Sequence, residues 1–149
     1  MLITDLPFTV NTHSAEETEA VGAALADLFC REDINSAFLA MQGDLGAGKT
    51  AFTRGFASVI CPEAKVKSPT FAIVNEYRGK TPIHHMDTYR IKDDDDLYST
   101  GFYDITDGFV VCEWSENISY ALPAHRYEIR IEYTEAENER VITVKEIGK

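Results

Sequence analysis

The chain has 149 residues, 44% of them hydrophobic and 26% charged, which is enough for one domain with a full apolar core. We therefore expect a single domain over residues 1–149, rather than a disulfide-stabilised miniprotein, a multidomain enzyme or a disordered tail. Its 14 Lys and Arg against 25 Asp and Glu give a net charge of −11, which disfavours non-specific nucleic-acid binding because phosphate is repelled.

The basic residues are concentrated in the middle of the sequence. From Lys49 to Lys92 there are eight basic and three acidic residues, a local net charge of +5, so the rest of the chain carries −16. Such a positive centre in an acidic chain indicates a local anion-binding site rather than a basic coat.

Cysteine usage and hydropathy bear on the cellular location. Cys30, Cys61 and Cys112 are far apart and form no C-x-x-C pair, which predicts reduced thiols in the cytoplasm and no zinc site. The N-terminal residues lack the basic and apolar segments of a signal peptide, and no apolar run approaches about 18 residues, so we expect no membrane association.

The first 60 residues predict a helix, a strand, a loop and a second helix. Ser14 and Glu17 have capping-box spacing, in which the Ser14 hydroxyl accepts from the amide of residue 17 and Glu17 reaches back. Apolar residues then recur at helical spacing over about 15–30. Residues 37–41 form an apolar run typical of a buried strand, and a second helix begins near Lys49. Its inner face is expected to carry Phe52, Phe56 and Val59.

The next elements are two strands, a short helix and a third strand. Residues 70–77 and 83–87 predict a hairpin around a turn at 78–80, and residues 109–113 predict a buried strand. The acidic run 93–96 is typical of the solvated start of a short helix, since the EF-hand spacing that calcium would need is missing.

The chain ends in two segments of alternating hydrophobicity, 127–133 and 140–147, which predict a β-hairpin. One face of its first strand is expected to carry Tyr127, Ile129, Ile131 and Tyr133.

The motif that carries chemistry is the Gly-rich loop before the second helix. Gly43–Thr50 (GDLGAGKT) fits the P-loop pattern G-x-x-x-x-G-K-[ST]. In a P-loop the backbone amides cradle phosphate, Lys49 reaches the β- and γ-phosphates, and the Thr50 hydroxyl binds Mg²⁺. The alternative, a structural Gly-rich turn, is disfavoured because an apolar strand precedes the loop and a helix follows. The order of elements predicts an α/β fold with a mixed central sheet and a C-terminal β-hairpin. Together with the P-loop match, we expect a P-loop NTPase-like three-layer sandwich.

A P-loop site also needs an acidic partner for the metal, usually at the end of another buried strand. Glu113 and Asp87 each end a predicted strand, although either one alone could be an ordinary strand-end acid. Ser68-Pro69-Thr70 follows the second helix, where the Thr70 hydroxyl could sense the γ-phosphate; an ordinary strand-entry turn is the alternative.

Three ring-bearing residues beside these acids are assigned packing and hydrogen-bonding roles. His84 and His85 are adjacent on a predicted strand and point to opposite faces, so they do not readily share a metal ion. Trp114 follows Glu113 and is typical of an aromatic packed at a sheet end rather than a platform for a base.

Four motifs in this order resemble the TsaE (YjeE) family of small bacterial ATPases. They are the P-loop at 43–50, Lys67-Ser68-Pro69-Thr70-Phe71, His85-Met86-Asp87-Thr88-Tyr89-Arg90, which matches the family's H-x-D-x-Y-R signature, and the pair Glu113-Trp114. The resemblance covers about residues 14–133.

The resemblance implies that ATP and Mg²⁺ are the cofactors and that the chain acts with TsaD and TsaB in making threonylcarbamoyladenosine in tRNA. Contact with tRNA is then expected mainly through those partners. The resemblance further implies Mg²⁺ binding by Thr50 and Glu113, a role for Asp87 in hydrolysis, and adenine near residues 12–15. It implies nucleotide contacts from Asp44, Leu45, Gly46, Ala47, Gly48, Lys49 and Thr50. The candidate catalytic residues are Lys49, Asp87 and Thr70.

Two departures from the family pattern and two alternative functions stand beside this hypothesis. Residues 99–104 match the family only loosely, so no function is assigned to them. Ala51 occupies a position where some relatives have a second Thr, so a nucleotide contact from that hydroxyl is absent. A small-molecule kinase could share the P-loop, but its Arg-rich lid would have to come from Arg78 and Arg90. A nucleotide-dependent interaction module with negligible turnover is the other alternative.

Overall fold

The computed structural model describes residues 1–44, 46, 48–69 and 74–149. The strands within this part of the chain are β1 (Phe8–Thr12), β2 (Ala37–Gly43), β3 (Asn75–Tyr77), β4 (Ile83–Asp87), β5 (Phe109–Glu113), β6 (Arg126–Tyr133) and β7 (Arg140–Ile147). The helices are α1 (Ala15–Arg31), α2 (Lys49–Ile60) and α3 (Asp94–Ser99), with 3₁₀ segments at Phe102–Asp104 and Ser115–Ala121.

The strands form one mixed sheet in the order β1-β7-β6-β2-β5-β4-β3. The central strand β2 is parallel to both β5 and β6, and β4 is parallel to β5. The outer pairs β3–β4, β6–β7 and β1–β7 are antiparallel. The predicted mixed sheet and C-terminal hairpin are therefore confirmed.

Apolar layers cover both faces of the sheet. On one face α1 and α2 pack over a large core in which the Phe29 ring contacts Phe56, Phe109 and Tyr127 at centroid distances of 5.9, 5.7 and 4.8 Å. The opposite face carries a smaller cluster that draws on α3 and on the 3₁₀ segment after β5. Its buried members are Met86, Ile91, Leu97, Cys112 and Ile118. This confirms the three-layer sandwich.

Helix α1 begins as predicted, but its cap differs in one bond. The Ser14 hydroxyl accepts from the amide of Glu17 at 3.0 Å. The Glu17 carboxylate, however, accepts from the backbone amide of His13 at 2.8 Å, one residue before the expected partner. The first bond satisfies an amide of the first helical turn, which has no partner within the helix, and the second ties the residue before the cap to the same turn.

The two long helices pack closely because Gly55 on α2 has no side chain. A Cβ at this position would lie 1.8 Å from the carbonyl oxygen of Glu19 on α1, which no side chain could tolerate. This close approach fixes the position of α2, whose first turn follows the P-loop.

Several boundaries and orientations differ from the predictions. The strand predicted over 70–77 begins at Asn75, and residues 70–73 lie outside the described residues. Val59 is 39% exposed, so it does not lie on the buried inner face of α2 to which its periodicity assigned it. Tyr133, the last residue of β6, is 47% exposed. β1 is not among the predicted elements, because five alternating residues after a proline give a weak signal; pairing with β7 stabilises it. No helix in the described ranges combines the length and apolar character needed to cross a bilayer.

Candidate nucleotide site

Three parallel strands bring the predicted site residues to one edge of the sheet. β2, β4 and β5 run in the same direction, so the P-loop after β2 lies beside the carboxyl ends of the other two strands. In the ladder, Asp87 is directly opposite Glu113, and Glu113 is opposite Met41. The two candidate carboxylates are therefore neighbours, although 26 positions separate them in the sequence numbering.

Helix α2 presents its positive end to this edge. Gly48 is the N-cap, with a φ of 114° that L side chains rarely adopt, and Lys49 and Thr50 form the first turn. The Gly48 carbonyl accepts from the amide of Phe52 at 2.9 Å, which starts the helix. The amides of a first helical turn have no carbonyl partner within the helix, which suits them to bind an anion.

Lys49 is buried between an aromatic ring and several carboxylates. Its Nζ lies 4.0 Å from the centroid of the Trp114 ring. The backbone of Trp114 is in the left-handed region (φ 59°), which is unusual for so large a residue. Burial lowers the pKa of Lys49, and nearby carboxylates, first among them Glu113, act in the opposite direction. A phosphate group beside Lys49 would place a negative charge near its ammonium group and so favour the charged form that burial disfavours.

These residues line one cleft of about 360 Å³. Its described lining residues are Gly46, Gly48, Lys49, Thr50, Ser68, Asp87, Glu113 and Trp114. The structure thus brings together the P-loop, both carboxylates and the serine of the second motif. Of the predicted site residues, Leu45, Ala47 and Thr70 lie outside the described residues.

Asp87 is partly buried at the end of β4. One carboxylate oxygen accepts from the backbone amide of Tyr89 at 2.8 Å. Burial raises the pKa of Asp87; the Tyr89 amide lowers it, and the Glu113 charge raises it further. A carboxylate destabilised in this way is more basic than a free aspartate, which suits a group that accepts a proton.

Glu113 is held by a histidine that sequence reasoning assigned only to packing and hydrogen bonding. The buried His85 ring donates from Nε2 to the Glu113 carboxylate at 2.6 Å, and its Nδ1 lies 2.8 Å from the Tyr77 hydroxyl. His84 instead lies 3.4 Å from Asp107, so the prediction that the two histidines serve opposite faces is confirmed. Strand alternation could have indicated this arrangement, since His85 and Asp87 are two residues apart.

Thr88, from the H-x-D-x-Y-R segment, joins the ends of β4 and β5. Its hydroxyl lies 3.0 Å from the carbonyl oxygen of Glu113 and 2.7 Å from that of Trp114, and its amide donates to the Glu113 carbonyl at 3.1 Å. The Asn117 side chain donates to the carbonyls of Thr88 and Tyr89 at 2.9 and 2.7 Å. These bonds fix the spacing between Asp87 and Glu113.

Asp44, the second residue of the P-loop, joins the loop to β6 and does not line the cleft. Its carboxylate accepts from the amide of Tyr133 at 2.8 Å, and its own amide donates to the carbonyl of Ile131 at 3.2 Å. Both groups are thus engaged with β6. A direct phosphate contact from Asp44 stays a prediction, and this geometry favours a positioning role.

A second cleft of about 430 Å³ lies on the other side of the P-loop. It is lined by His13, Ser14, Ala15, Thr18, Gly46, Gly48, Ala51, Asn138 and Arg140. The two clefts share Gly46 and Gly48, so together they flank the loop. Of residues 12–15, which were expected near an adenine, His13, Ser14 and Ala15 line this second cleft and Thr12 does not. Ala51, where some relatives have a threonine, also lines it.

The donor set of the first cleft fits Mg²⁺. Within the described residues no three His, Cys, Asp or Glu side chains are grouped as an all-protein metal site. P-loop magnesium does not need one, because it keeps several waters and takes other ligands from phosphate and one or two side chains. Thr50 and Glu113 supply such oxygen atoms to the same cleft.

Comparison with known proteins agrees with this arrangement. The model of the family described as threonylcarbamoyl adenosine biosynthesis protein TsaE matches residues 12–142. The chain belongs to the TsaE family. The tRNA threonylcarbamoyladenosine biosynthesis protein TsaE of Bacillus subtilis (strain 168) is 38% identical over 138 residues, which cover 92% of this chain and 84% of that protein. The protein of the same name from Haemophilus influenzae is 40% identical over 114 residues, covering 73% and 72%.

The fold agrees with a solved structure. The crystal structure of Bacillus subtilis YdiB superposes with a TM-score of 0.71 at 31% identity and covers 97% of this chain and 90% of that one. Family membership thus connects the chain with the biosynthesis of threonylcarbamoyladenosine in tRNA.

Proposed function

We propose that this protein binds ATP with Mg²⁺ and hydrolyses it in support of the threonylcarbamoyladenosine modification of tRNA. One observation carries the proposal: Lys49, Thr50, Asp87 and Glu113 line a single cleft at the positive end of α2. Phosphoryl transfer depends mostly on positioning and on stabilising negative charge, and these residues provide both.

The Lys49 ammonium and the backbone amides at the start of α2 bind the phosphates. Lys49 moves from the Trp114 ring to the β- and γ-phosphates, while amides of the first helical turn donate to phosphate oxygens. Thr50 and Glu113 would hold Mg²⁺, which when bound neutralises charge on the phosphates. ATP rather than GTP, and a γ-phosphate contact from Thr70, are proposed on the family resemblance.

Asp87 acts on the attacking water. Its raised pKa makes it a better proton acceptor than an exposed aspartate, and its bond to the Tyr89 amide keeps the carboxylate oriented. The carboxylate positions the water and accepts its proton as the water oxygen bonds to the γ-phosphorus. The bond from the γ-phosphorus to the β–γ bridging oxygen breaks in the same step, which releases ADP as the leaving group.

TsaD and TsaB are the proposed partners, and tRNA is contacted through them in the cytoplasm. The net charge of −11 supports this division, since direct binding of a polyanion by the isolated chain would be opposed at long range. Slow hydrolysis by the isolated chain is expected, because such sites are often completed by a partner.

The test follows γ-labelled ATP with Mg²⁺, with and without TsaD, TsaB and tRNA. We expect free phosphate that increases when the partners are added. Lys49→Ala should lower its rate by about 100-fold, because a charge that stabilises the transition state is lost. The matched control is Lys80→Ala, an exposed lysine of the turn after β3, which should leave the rate unchanged.

Three outcomes would contradict parts of this proposal. Unchanged turnover in Lys49→Ala would overturn the assigned site. Label appearing on a metabolite rather than as phosphate would indicate a kinase. Complexes that require ATP but never release phosphate would indicate a nucleotide-dependent interaction module.

A further inference from the structure

A buried chain of hydrogen bonds leaves the cleft at Glu113 and returns to it at Ser68. Glu113 accepts from His85 at 2.6 Å, and the other nitrogen of His85 lies 2.8 Å from the Tyr77 hydroxyl. That hydroxyl accepts from the amide of Lys67 at 3.3 Å and lies 3.2 Å from the Lys67 carbonyl oxygen. The next residue, Ser68, lines the same cleft as Glu113.

This series of hydrogen bonds is well suited to relay a movement of the Glu113 carboxylate to the Lys67 backbone. His85 is fully buried and Tyr77 is 7% exposed, so water does not compete easily for their polar groups. When Nε2–H donates to the carboxylate, Nδ1 can accept from the Tyr77 hydroxyl. The single hydroxyl hydrogen has two acceptors within reach, Nδ1 and the Lys67 carbonyl, so a shift at one end changes the bonding at the other.

We propose that Tyr77 and His85 are positioning residues that couple the Glu113 carboxylate to the Lys67–Ser68 backbone. This inference rests on the proposed function, because it assigns the coupling to the Mg²⁺–ATP site. Holding the carboxylate in one orientation favours metal binding, and metal binding in turn favours one position of the loop that carries Ser68. The loop of the second motif therefore responds to the metal as well as to phosphate.

The first experiment removes the Tyr77 hydroxyl, which lies in the middle of this series of hydrogen bonds. Tyr77→Phe keeps the ring, and Tyr127→Phe is the matched control, since its buried ring also loses a hydroxyl bond, to Glu146 at 3.2 Å. A fluorescent ATP analogue is titrated at increasing Mg²⁺. Tyr77→Phe should raise the Mg²⁺ concentration that half-saturates binding by about 10-fold, as outer-shell partners of metal ligands do. Affinity at saturating Mg²⁺ should stay unchanged, a split that general structural damage would not produce.

The second experiment leaves Tyr77 in place and uses no nucleotide. Hydrogen exchange of the Lys67 amide is measured by NMR in Glu113→Gln, with Asp87→Asn as the control because it removes the same charge from the neighbouring strand end. Glu113→Gln weakens the bond to His85 and should speed exchange at Lys67 by about threefold, the effect of a weakened hydrogen bond. Asp87→Asn should leave that amide unchanged.

The outcomes separate this inference from the proposed function. If wild-type protein shows no Mg²⁺-dependent ATP binding, the proposed function fails, and the coupling to a metal site fails with it. If wild type binds Mg²⁺–ATP but Tyr77→Phe matches Tyr127→Phe, the inference alone is overturned. Equal exchange at Lys67 in Glu113→Gln and Asp87→Asn would overturn it as well, even if Tyr77→Phe does not fold.

Discussion

On the sheet face covered by α1 and α2, strands β4 and β5 are apolar where they begin and acidic where they end. Ile83 pairs with Phe109 at one end of the ladder, and Asp87 pairs with Glu113 at the other. The apolar half packs on Phe29, whereas the charged half surrounds Lys49. One face of two short strands therefore serves both the core and the cleft.

The two halves differ in what burial does to them. In the apolar half, burial removes hydrocarbon from water and stabilises the fold. In the charged half, burial raises the pKa of Asp87 and lowers that of Lys49, which means that the charged form of each group is disfavoured. The fold retains these charges at a cost in stability, and the apolar half offsets that cost.

The largest expected effect tests the apolar half. Phe29→Ala removes a ring that is 1% exposed and contacts three others, so we expect the free energy of unfolding to fall by about 3–5 kcal/mol. Urea denaturation measures the change. Tyr98→Ala, at a side chain that is 72% exposed, is the control and should change stability by less than about 0.5 kcal/mol. A loss below about 1 kcal/mol for Phe29→Ala would contradict the assignment of the core.

A smaller loss of stability is expected when the hydrogen bonds that join the acidic ends of β4 and β5 are removed. Thr88→Val keeps the shape of the side chain but removes the hydroxyl that lies near the carbonyls of Glu113 and Trp114, so unfolding free energy should fall by about 1–2 kcal/mol. ATP turnover should fall as well, because the spacing of Asp87 and Glu113 is no longer fixed. Thr100→Val, which loses a bond of 2.7 Å to the Leu97 carbonyl, should lose stability without losing turnover. Equal turnover in the two variants would show that Thr88 does not hold the site.

The smallest expected effect on stability has the opposite sign. The folded-state pKa of Asp87 lies above its unfolded value, chiefly through burial, so wild-type stability falls as pH rises from the unfolded pKa through the folded one. Asp87→Asn removes this penalty while its side-chain oxygen can still accept from the Tyr89 amide. We therefore expect the variant to gain stability relative to wild type above that window and to show no gain below it.

Thermal unfolding of Asp87→Asn and wild type across about pH 3 to 8 measures this difference. ATP hydrolysis by the variant should fall by about 100-fold, within the range for loss of a general base. A stability difference that does not change with pH would contradict the view that the buried charge is its origin.

The parts of the site that local motifs encode could be predicted from the sequence. The P-loop is contiguous, and Asp87 and Glu113 each end a predicted strand, so a few neighbouring residues suffice to identify them. The bond between His85 and Glu113 could not be predicted in this way. It joins residues 28 positions apart and depends on the parallel register of β4 and β5.

The sequence by itself determined the helices, most strands, the Gly-rich loop that fits the P-loop pattern and the family to which the chain belongs, because propensity, capping and motif spacing act within a few residues. Only the tertiary structure decided that β4 lies beside β5, that Lys49 lies over Trp114, and that Val59 and Tyr133 face solvent. Strand order and register depend on the packing of side chains distant in sequence. The buried route from Glu113 to Lys67 therefore exists only in the folded chain.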